Sequence, residues 1–375
     1  MKKSLAIAAA VAATFASASY AQSSVTLYGI IDAGFTYTTN VNDNANYALA
    51  SGNIQASRWG LRGVEDLGGG LKTIFTLESG FDVTNGKQSG GLFNRQSYVG
   101  LTHDQYGTLT LGRQFDSMID YIGPMTAVGT WGGTYMAHLL DNDDLNGTFS
   151  LNNTIKYTSP NLSGFQFGGL YSFSNQASFA VNRAYSAGMS YVYQGLRLGA
   201  AYTQINGVNA NGSGSVQGSP LVNTFGAVGA NNRQRNWGAG ASYAYGPMVG
   251  GVVFTQSRLN DSFGQSVRFN NVEANLRYNL TPALGIGAMY AYTNLNGAAS
   301  MIATDGSTSA HWHQFALQAD YALSKRTDVY LEGVGVWGAA GTSGFGITQI
   351  GYQGPNNFSS TDDQGIVSVG IRHRF

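Results

Sequence analysis

The amino-acid sequence predicts an all-β protein, a 16-stranded antiparallel β-barrel that spans a membrane. Three observations support this fold: polar and apolar residues alternate along many segments, only 11% of the residues are charged, and no apolar run after Ala21 is long enough for a membrane-spanning helix. The low charge indicates that much of the surface faces something other than water. Because hydrocarbon cannot satisfy open strand edges, a closed barrel is the remaining structure that crosses a bilayer.

The first 21 residues have the composition of a secretory signal peptide. Lys2 and Lys3 precede an apolar run over residues 5–16, and Ser19-Tyr20-Ala21 provides a small-residue cleavage site. The run is shorter than the ~20 residues that a membrane anchor needs. We therefore expect export, cleavage of residues 1–21, and one barrel domain over residues 22–375.

Charge and cysteine content exclude several classes of protein. Without Lys2 and Lys3 the chain carries 18 Lys and Arg against 20 Asp and Glu, a net charge of −2, which does not suggest a nucleic-acid partner. The chain has no cysteine, which excludes disulfides, thiolate metal sites and a cysteine nucleophile. We expect no cofactor and no metal.

The strand pattern begins at once in the mature chain. Residues 25–38 place Leu27 and Phe35 on one face and Asp32 on the other, and residues 271–279 alternate in the same way. Strands of ~9 to 11 residues, apolar outward and polar inward, are what a transmembrane barrel requires.

Short and long connectors alternate along the chain. Leu67-Gly68-Gly69-Gly70 and Gly246-Pro247 are typical tight turns. The long polar connectors include residues 206–235, 258–270, 294–310 and 338–364. This rhythm is typical of an outer-membrane barrel with periplasmic turns and extracellular loops, and the count of segments is about sixteen. A barrel of that width encloses an aqueous channel.

Many aromatic residues are predicted to form girdles at the two membrane interfaces. They are Trp59, Trp237, Trp312, Trp337, Tyr98, Tyr191, Tyr193, Tyr290 and Tyr292. Aromatic residues stacked inside a lumen would give a similar pattern. A substrate-specific channel, for a sugar or an anion, therefore stays open as an alternative.

The segment over residues 113–153 lacks strand alternation. A long excursion within a serial β pattern is usually a functional loop or a disordered one, and Met125, Trp131, Tyr135 and Leu139 make this one too apolar for a solvated tail. We expect it to pack inside the barrel and to narrow the channel over about residues 114–152.

Several short motifs occur in a recognisable order. They are Leu27-Tyr28-Gly29 with Asp32, Ser57-Arg58-Trp59-Gly60-Leu61-Arg62-Gly63 with Glu65-Asp66-Leu67-Gly68, Leu111-Gly112-Arg113-Gln114, Asn152-Asn153-Thr154-Ile155-Lys156-Tyr157, and the terminal Val369-Gly370-Ile371-Arg372-His373-Arg374-Phe375. With these motifs the whole mature chain resembles the general porins of Gram-negative bacteria, in particular the β-proteobacterial branch.

The resemblance implies a homotrimer of 16-stranded barrels in the lipid of the outer membrane, with the third extracellular loop folded inward. It also implies passive diffusion of ions and small hydrophilic solutes. The last strand, ending at Phe375, looks like the signal that the outer-membrane assembly machinery recognises. The same strand is expected to close the barrel against residues 25–38.

Four charged side chains of the barrel wall are predicted to face the channel. Alternation turns Arg58 and Arg62 of the second strand, and Glu78 of the third, toward water. The fourth strand is predicted to place Arg95 inward and Tyr98 outward. A lipid-facing arginine at the membrane midplane would cost about 2–4 kcal/mol, which favours the lumen.

The sequence departs from the porin pattern at two places. In the family, wall arginines at the positions of Arg58 and Arg95 face acidic residues on the constriction loop. Here Gly129-Thr130-Trp131 stands where those acids often occur, and Ser150-Leu151 stands where a third arginine often occurs.

The constriction is completed by residues at or near the loop. We assign Arg113, Asp116, Asp120 and Trp131 to it together with the wall residues. The other loop acids are expected to lie away from the narrowest point, so the hypothesis is a weak anion preference or poor selectivity. The alternative is that Arg58, Glu78 and Arg95 form a mutually neutralised structural network.

Histidines are the only candidates for acid–base or metal chemistry. His311 and His313 share one face at a strand start, whereas His103 and His138 have no evident partners in the sequence. We expect rim histidines and no enzyme. A barrel enzyme would be revealed by a hydrolysis assay, and an adhesive or structural barrel by the absence of conductance.

Overall fold

The computed structural model describes residues 23–208, 214–216, 218–226, 231–297, 308–339, 345–354 and 357–375, so the predicted signal peptide lies outside it. The strands are β1 (Ser24–Val41), β2 (Asn44–Ser51), β3 (Arg58–Gly68), β4 (Leu71–Gly80), β5 (Gln96–His103), β6 (Gly107–Gln114), β7 (Leu151–Thr158), β8 (Phe165–Ser172), β9 (Arg183–Tyr193), β10 (Leu196–Asn206), β11 (Arg233–Tyr245), β12 (Met248–Asn260), β13 (Ser266–Asn279), β14 (Leu284–Gly297), β15 (Ser309–Ala322), β16 (Thr327–Gly338) and β17 (Asp363–Arg374). Two short helices are α1 (Ser117–Tyr121) and α2 (Pro220–Phe225). In the described ranges no helix has the length and apolar character to cross a membrane.

The strands form one antiparallel sheet that closes on itself. β2 and β3 both pair with the same edge of β1, β2 along residues 33–41 and β3 along residues 24–30, so they are two halves of one barrel strand interrupted at residues 52–57. β17 pairs with the other edge of β1 from Ile30 to Thr38. The predicted 16-stranded antiparallel barrel is therefore confirmed.

Side chains alternate between the two faces of the wall as the sequence predicts. On β13, Val272 and Leu276 remain 43% and 46% exposed on the outer face, whereas Asn271 and Glu273 on the inner face are fully buried. An apolar exterior with a polar interior is the reverse of a soluble domain. It is the arrangement that a lipid-embedded barrel needs.

The rim that the sequence predicts to face the periplasm contains tight turns. Gly68, Gly69 and Gly70, which link β3 to β4, all have positive φ values of 86°, 62° and 83°. Only glycine adopts this left-handed conformation without steric cost. The turn brings β3 and β4 into register, with Gly60 opposite Glu78.

One predicted long connector is in fact a hairpin. β12 continues to Asn260 and β13 begins at Ser266, so that Arg258 pairs with Arg268 where residues 258–270 were predicted to form a loop. The prediction was wrong because the outward face becomes polar near this rim. The strand continues after its hydrophobic alternation has ended.

The aromatic prediction holds for Trp237, which is 40% exposed on the outer face, but is wrong for Trp312 and Tyr98. Trp312 is buried on the inner face, where its indole donates to Thr348 Oγ1 at 3.0 Å. Tyr98 pairs with Thr76 on the same face as Glu78. Loops that return into the barrel can bury inward aromatic side chains, and strand alternation alone does not reveal this.

Candidate functional site

The segment between β6 and β7, residues 115–150, starts with a capped helix against the inner wall. Asp116 Oδ1 accepts hydrogen bonds from the N–H groups of Met118 and Ile119 at 2.9 and 3.3 Å, which fixes the start of α1. Tyr121 lies where Gly188 of β9 has no side chain, since an added Cβ at Gly188 would be 2.3 Å from the tyrosine ring. The helix therefore lies directly on the inner face of the wall.

The same segment reaches the other side of the barrel. Trp131 packs on Gly287 of β14, where an added Cβ would lie 2.3 Å from the indole ring. Thr134 then donates its N–H to Asn53 O at 2.8 Å, within the interruption between β2 and β3. Contacts with β9, β14 and this interruption place the segment across the interior of the barrel.

A buried ion network joins the segment to β12 and β13. His138 Nδ1 lies 2.7 Å from Asp143 Oδ2, and His138 Nε2 lies 3.1 Å from Glu273 Oε2. Glu273 Oε1 also accepts the N–H of Ala127 at 2.7 Å. Thr255 of β12 donates to Asp143 Oδ2. All of these polar side chains are shielded from solvent, so the network holds the middle of the segment to the wall.

Sequence reasoning missed this network. His138 has no evident partner in the sequence, but the structure supplies one carboxylate five residues away and another on β13. Asp143 follows His138 closely enough to be a detectable signal in the sequence. Glu273 is distant in sequence, and only the crossing of the barrel interior brings it near.

On the opposite wall the structure brings together three of the predicted residues. Glu78 Oε1 lies 2.8 Å from Arg95 Nε, and Glu78 Oε2 lies 3.6 Å from Arg58 Nε. The hydroxyl of Tyr28 donates to Glu78 Oε2 at 3.0 Å. One carboxylate thus serves two guanidinium groups, and both arginines keep about a fifth of their side chains exposed, 19% for Arg58 and 18% for Arg95.

Arg95 belongs to this cluster, but it is not a residue of the fourth barrel strand as predicted. It precedes β5, which begins at Gln96, and Gln96 stands opposite Glu78 in the register. Along β5 it is Tyr98, not Ser97, that shares the face of Glu78. Strand alternation cannot place a residue that lies before the strand begins.

The other five predicted site residues contact groups other than Glu78. Arg62 stacks over the ring of Tyr28 at 5.4 Å. Arg113 Nε donates to Asn94 O at 2.6 Å. Asp120 Oδ2 lies 2.5 Å from Lys156 Nζ on β7. Asp116 caps α1 and Trp131 contacts β14, so the structure does not gather all eight residues around one point.

The aspartates near the end of the segment are buried and held within it. Asp141 accepts hydrogen bonds from the N–H of Asn146 at 3.0 Å and from Thr148 Oγ1 at 2.5 Å. Burial raises the pKa of both Asp116 and Asp141 to about 6, and burial with neighbouring carboxylates raises the pKa of Asp144. Burial and these hydrogen bonds keep the carboxylates out of contact with solvent.

A polar cavity of about 290 Å³ adjoins the arginines. It is lined by Arg95 and Arg113 together with serine, threonine and asparagine residues of the wall and of residues 146–150. No other charged residue lines this cavity. The space is suited to water and to small polar solutes.

The rim histidines face away from the interior. His311 and His313 share the outer face of β15 with Phe315, and the Tyr290 hydroxyl lies 2.8 Å from His313 Nδ1. Within the described ranges, no group of three or more His, Cys, Asp or Glu side chains is arranged to hold a metal ion.

Comparisons with known proteins agree with the fold. A family model described as Gram-negative porin matches residues 8–336. An outer membrane porin protein of Bordetella pertussis is 32% identical, and the alignment covers 100% of both chains. The anion-selective porin from Comamonas acidovorans has a similar structure, with a TM-score of 0.75, 24% identity, and coverage of 94% of this chain and 100% of that one. OmpT of Vibrio cholerae in its trimer form has a TM-score of 0.67 and 15% identity over 94% and 99% of the chains.

Proposed function

This chain belongs to the Gram-negative porin family and forms a passive diffusion channel in the outer membrane, and we propose that this channel has a weak preference for small anions over cations. The observation that carries the proposal is the shared carboxylate at the wall. Arg58 and Arg95 have only Glu78 as an ion-pair partner among the described residues. This group carries a fixed net positive charge next to water.

The opposing negative charges are poorly placed to cancel this excess. Asp116, Asp141, Asp143 and Asp144 are almost fully buried within the β6–β7 segment. Asp120 is paired with Lys156. Because side-chain charges that line a pore decide which ion is favoured, the arginines dominate the field that a permeating ion meets.

We assign the narrowing of the channel to the β6–β7 segment. Its contacts with β9, β14 and residues 52–57 support a constriction over about residues 114–152. In this proposal Arg58, Arg62, Glu78, Arg95 and Arg113 form the cationic wall. Asp116, Asp120 and Trp131 hold the segment in position.

The proposed mechanism needs no chemical step. His311 and His313 lie on the outer face with apolar neighbours, away from the aqueous interior where a hydrolytic site would bind its substrate. This placement supports a channel that has no enzymatic activity, cofactor or metal.

Four further assignments complete the proposal. Residues 1–21 act as a cleaved signal peptide, and the barrel assembles as a homotrimer, in line with the trimer form of the structurally similar OmpT. Phe375 is recognised by the outer-membrane assembly machinery. Small hydrophilic solutes and ions are the permeating species.

Single-channel recording in planar bilayers tests the proposal. We expect conductance steps in groups of three and a reversal potential in a salt gradient that indicates a modest anion preference. The E78Q variant removes the only carboxylate of the wall cluster and should strengthen this preference, whereas R95Q should weaken it. A cation preference in the wild-type protein would contradict the proposal, and silent membranes after verified insertion would contradict the channel itself.

A further inference from the structure

A row of arginines crosses the outer face of the barrel near its extracellular rim. Arg235 of β11 stands directly opposite Arg258 of β12, and Arg258 stands directly opposite Arg268 of β13. Neighbouring strands are ~4.8 Å apart, so the backbones of the three arginines lie within about 10 Å of one another. Arg258 and Arg268 are exposed and Arg235 is half-buried. We call these three residues the arginine row.

The arginine row faces away from the channel and toward the membrane. Arg258 shares its face with Phe254, and Arg268 shares its face with Val272, which is 43% exposed to the exterior. Trp237, an outer-face residue two positions beyond Arg235, marks the membrane interface. Arg258 lies four positions after Phe254, a distance of about 13 Å along the strand. The row therefore lies at the level of the lipid headgroups of the outer leaflet.

Nothing in the described part of the chain neutralises the arginine row. Arg235 Nε donates to Gln204 Oε1 at 3.1 Å and Arg258 Nη2 donates to Ser266 Oγ at 3.3 Å, both neutral acceptors. Residues 145–260 contain no Asp or Glu at all. Asp261, the nearest acid in sequence, uses Oδ1 to accept the N–H groups of Phe263 and Gln265.

Electrostatic repulsion among the three side chains makes the arginine row unfavourable without a bound anion. Like charges directly opposite each other on neighbouring strands destabilise a sheet, and here the opposition occurs twice in succession. Arg183 and Arg233 add two more positive charges on the same face, where they flank Asn206. An anion bound across the row would offset this repulsion.

We propose that the arginine row binds the phosphate groups of anionic lipid in the outer leaflet, that is, of lipopolysaccharide. Guanidinium groups bind phosphate in bidentate fashion, which matches several adjacent arginines to a headgroup that carries more than one phosphate. The aromatic and aliphatic residues below the row contact the acyl chains. The site thus fixes the depth and orientation of the barrel in the membrane.

The test compares two variants that each remove two positive charges. R258Q/R268Q alters the arginine row, whereas K325Q/R326Q alters exposed cations in the periplasmic turn between β15 and β16. Purified lipopolysaccharide is titrated onto each detergent-solubilised protein, and binding is followed by native mass spectrometry. Each basic residue near an anionic membrane surface contributes about fivefold in affinity, so R258Q/R268Q should bind about 30-fold more weakly and K325Q/R326Q like the wild type.

The phosphate dependence is tested in the same experiment. Dephosphorylated lipopolysaccharide should bind the wild-type protein weakly, with an affinity close to that of intact lipopolysaccharide for R258Q/R268Q. Millimolar inorganic phosphate should not displace intact lipopolysaccharide from the wild-type protein. Equal binding by R258Q/R268Q and the wild type, or unchanged binding after dephosphorylation, would overturn the proposal. Unaltered single-channel conductance shows that each variant is folded. The single variant R268Q, with an expected fivefold loss, provides the same test if the double variant does not insert.

Discussion

His138 shows how one side chain links the β6–β7 segment to the barrel wall. Burial alone would lower the pKa of this histidine, but the carboxylates of Asp143 and Glu273 outweigh burial and raise the pKa to about 10. The imidazolium in turn holds the pKa of Asp143 below its ordinary value despite burial. The histidine is thus charged at neutral pH and completes a buried network of one cation between two anions.

We predict that H138Q loosens the β6–β7 segment. Removing one partner from a buried ion network leaves the others uncompensated, at a cost of about 3–5 kcal/mol. The raised pKa means that the stabilisation from His138 is fully present below its unfolded value near 6.5 and is lost as the pH rises through about 10. Open-channel current noise should therefore be severalfold higher in H138Q at pH 7, and should increase in the wild type only above about pH 9.

The matched control for this prediction is H103Q. His103 lies at the exposed turn between β5 and β6, outside the β6–β7 segment. Its variant should keep the current noise of the wild type across the same pH range. Open-channel current noise equal to that of the wild type in H138Q at pH 7 would show that other contacts hold the segment.

At the scale of residues, the sequence predicted the part of the site that depends on local geometry. Arg58 and Glu78 lie on β3 and β4, which a three-glycine turn joins, so alternation and one tight turn are enough to place both on the inner face. The partnership of His138 with Glu273 depends on how a loop crosses the interior. No short-range pattern in the sequence encodes that path.

At the scale of elements, the β6–β7 segment lies close to the wall because the wall has no side chains at the contacts. Gly188 and Gly287 face the interior, and Tyr121 and Trp131 occupy the space above them. The segment can thus bury these aromatic side chains against the wall. Glycine at these two inward positions lets the segment lie directly on the wall, a role that strand alternation alone did not predict.

We predict that G287A reduces single-channel conductance. The added Cβ would lie 2.3 Å from the indole of Trp131, so the ring must move away from the wall and toward the lumen. Overpacking of this kind costs about 1–3 kcal/mol. Conductance in 1 M salt should fall measurably while the stepwise insertion of channels continues.

The control for overpacking is G333A on β16. The nearest atom to an added Cβ there is Ile366 O at 4.0 Å, an ordinary distance. The two substitutions are chemically identical and both lie in strand interiors. The prediction that Trp131 and the wall together determine channel width would be contradicted by either of two results. One is wild-type conductance in G287A, and the other is an equal decrease in conductance in both variants.

At the scale of the whole molecule, the barrel is completed where the last residue meets the first strand. Phe375 and Gly29 exchange two backbone hydrogen bonds of 3.1 Å, and the phenylalanine ring covers the glycine, where an added Cβ would lie 2.3 Å from the ring. The even strand number and the terminal position of the last strand allowed closure to be predicted from the sequence. The break between β2 and β3 was not predicted, because both halves continue the same alternation.

The last prediction separates closure of the barrel from recognition of Phe375 during assembly. F375A keeps the backbone hydrogen bonds to Gly29 and loses a ring that is 39% exposed, so it should destabilise the refolded barrel by only about 1–2 kcal/mol. I371A, on the same face of β17 and 47% exposed, should behave similarly when both variants are refolded in detergent and unfolded in urea. In cells, F375A alone should show a severalfold loss of protein in the outer membrane. Equal cellular yields of the two variants would show that Phe375 acts through closure alone, because their folding energies are matched.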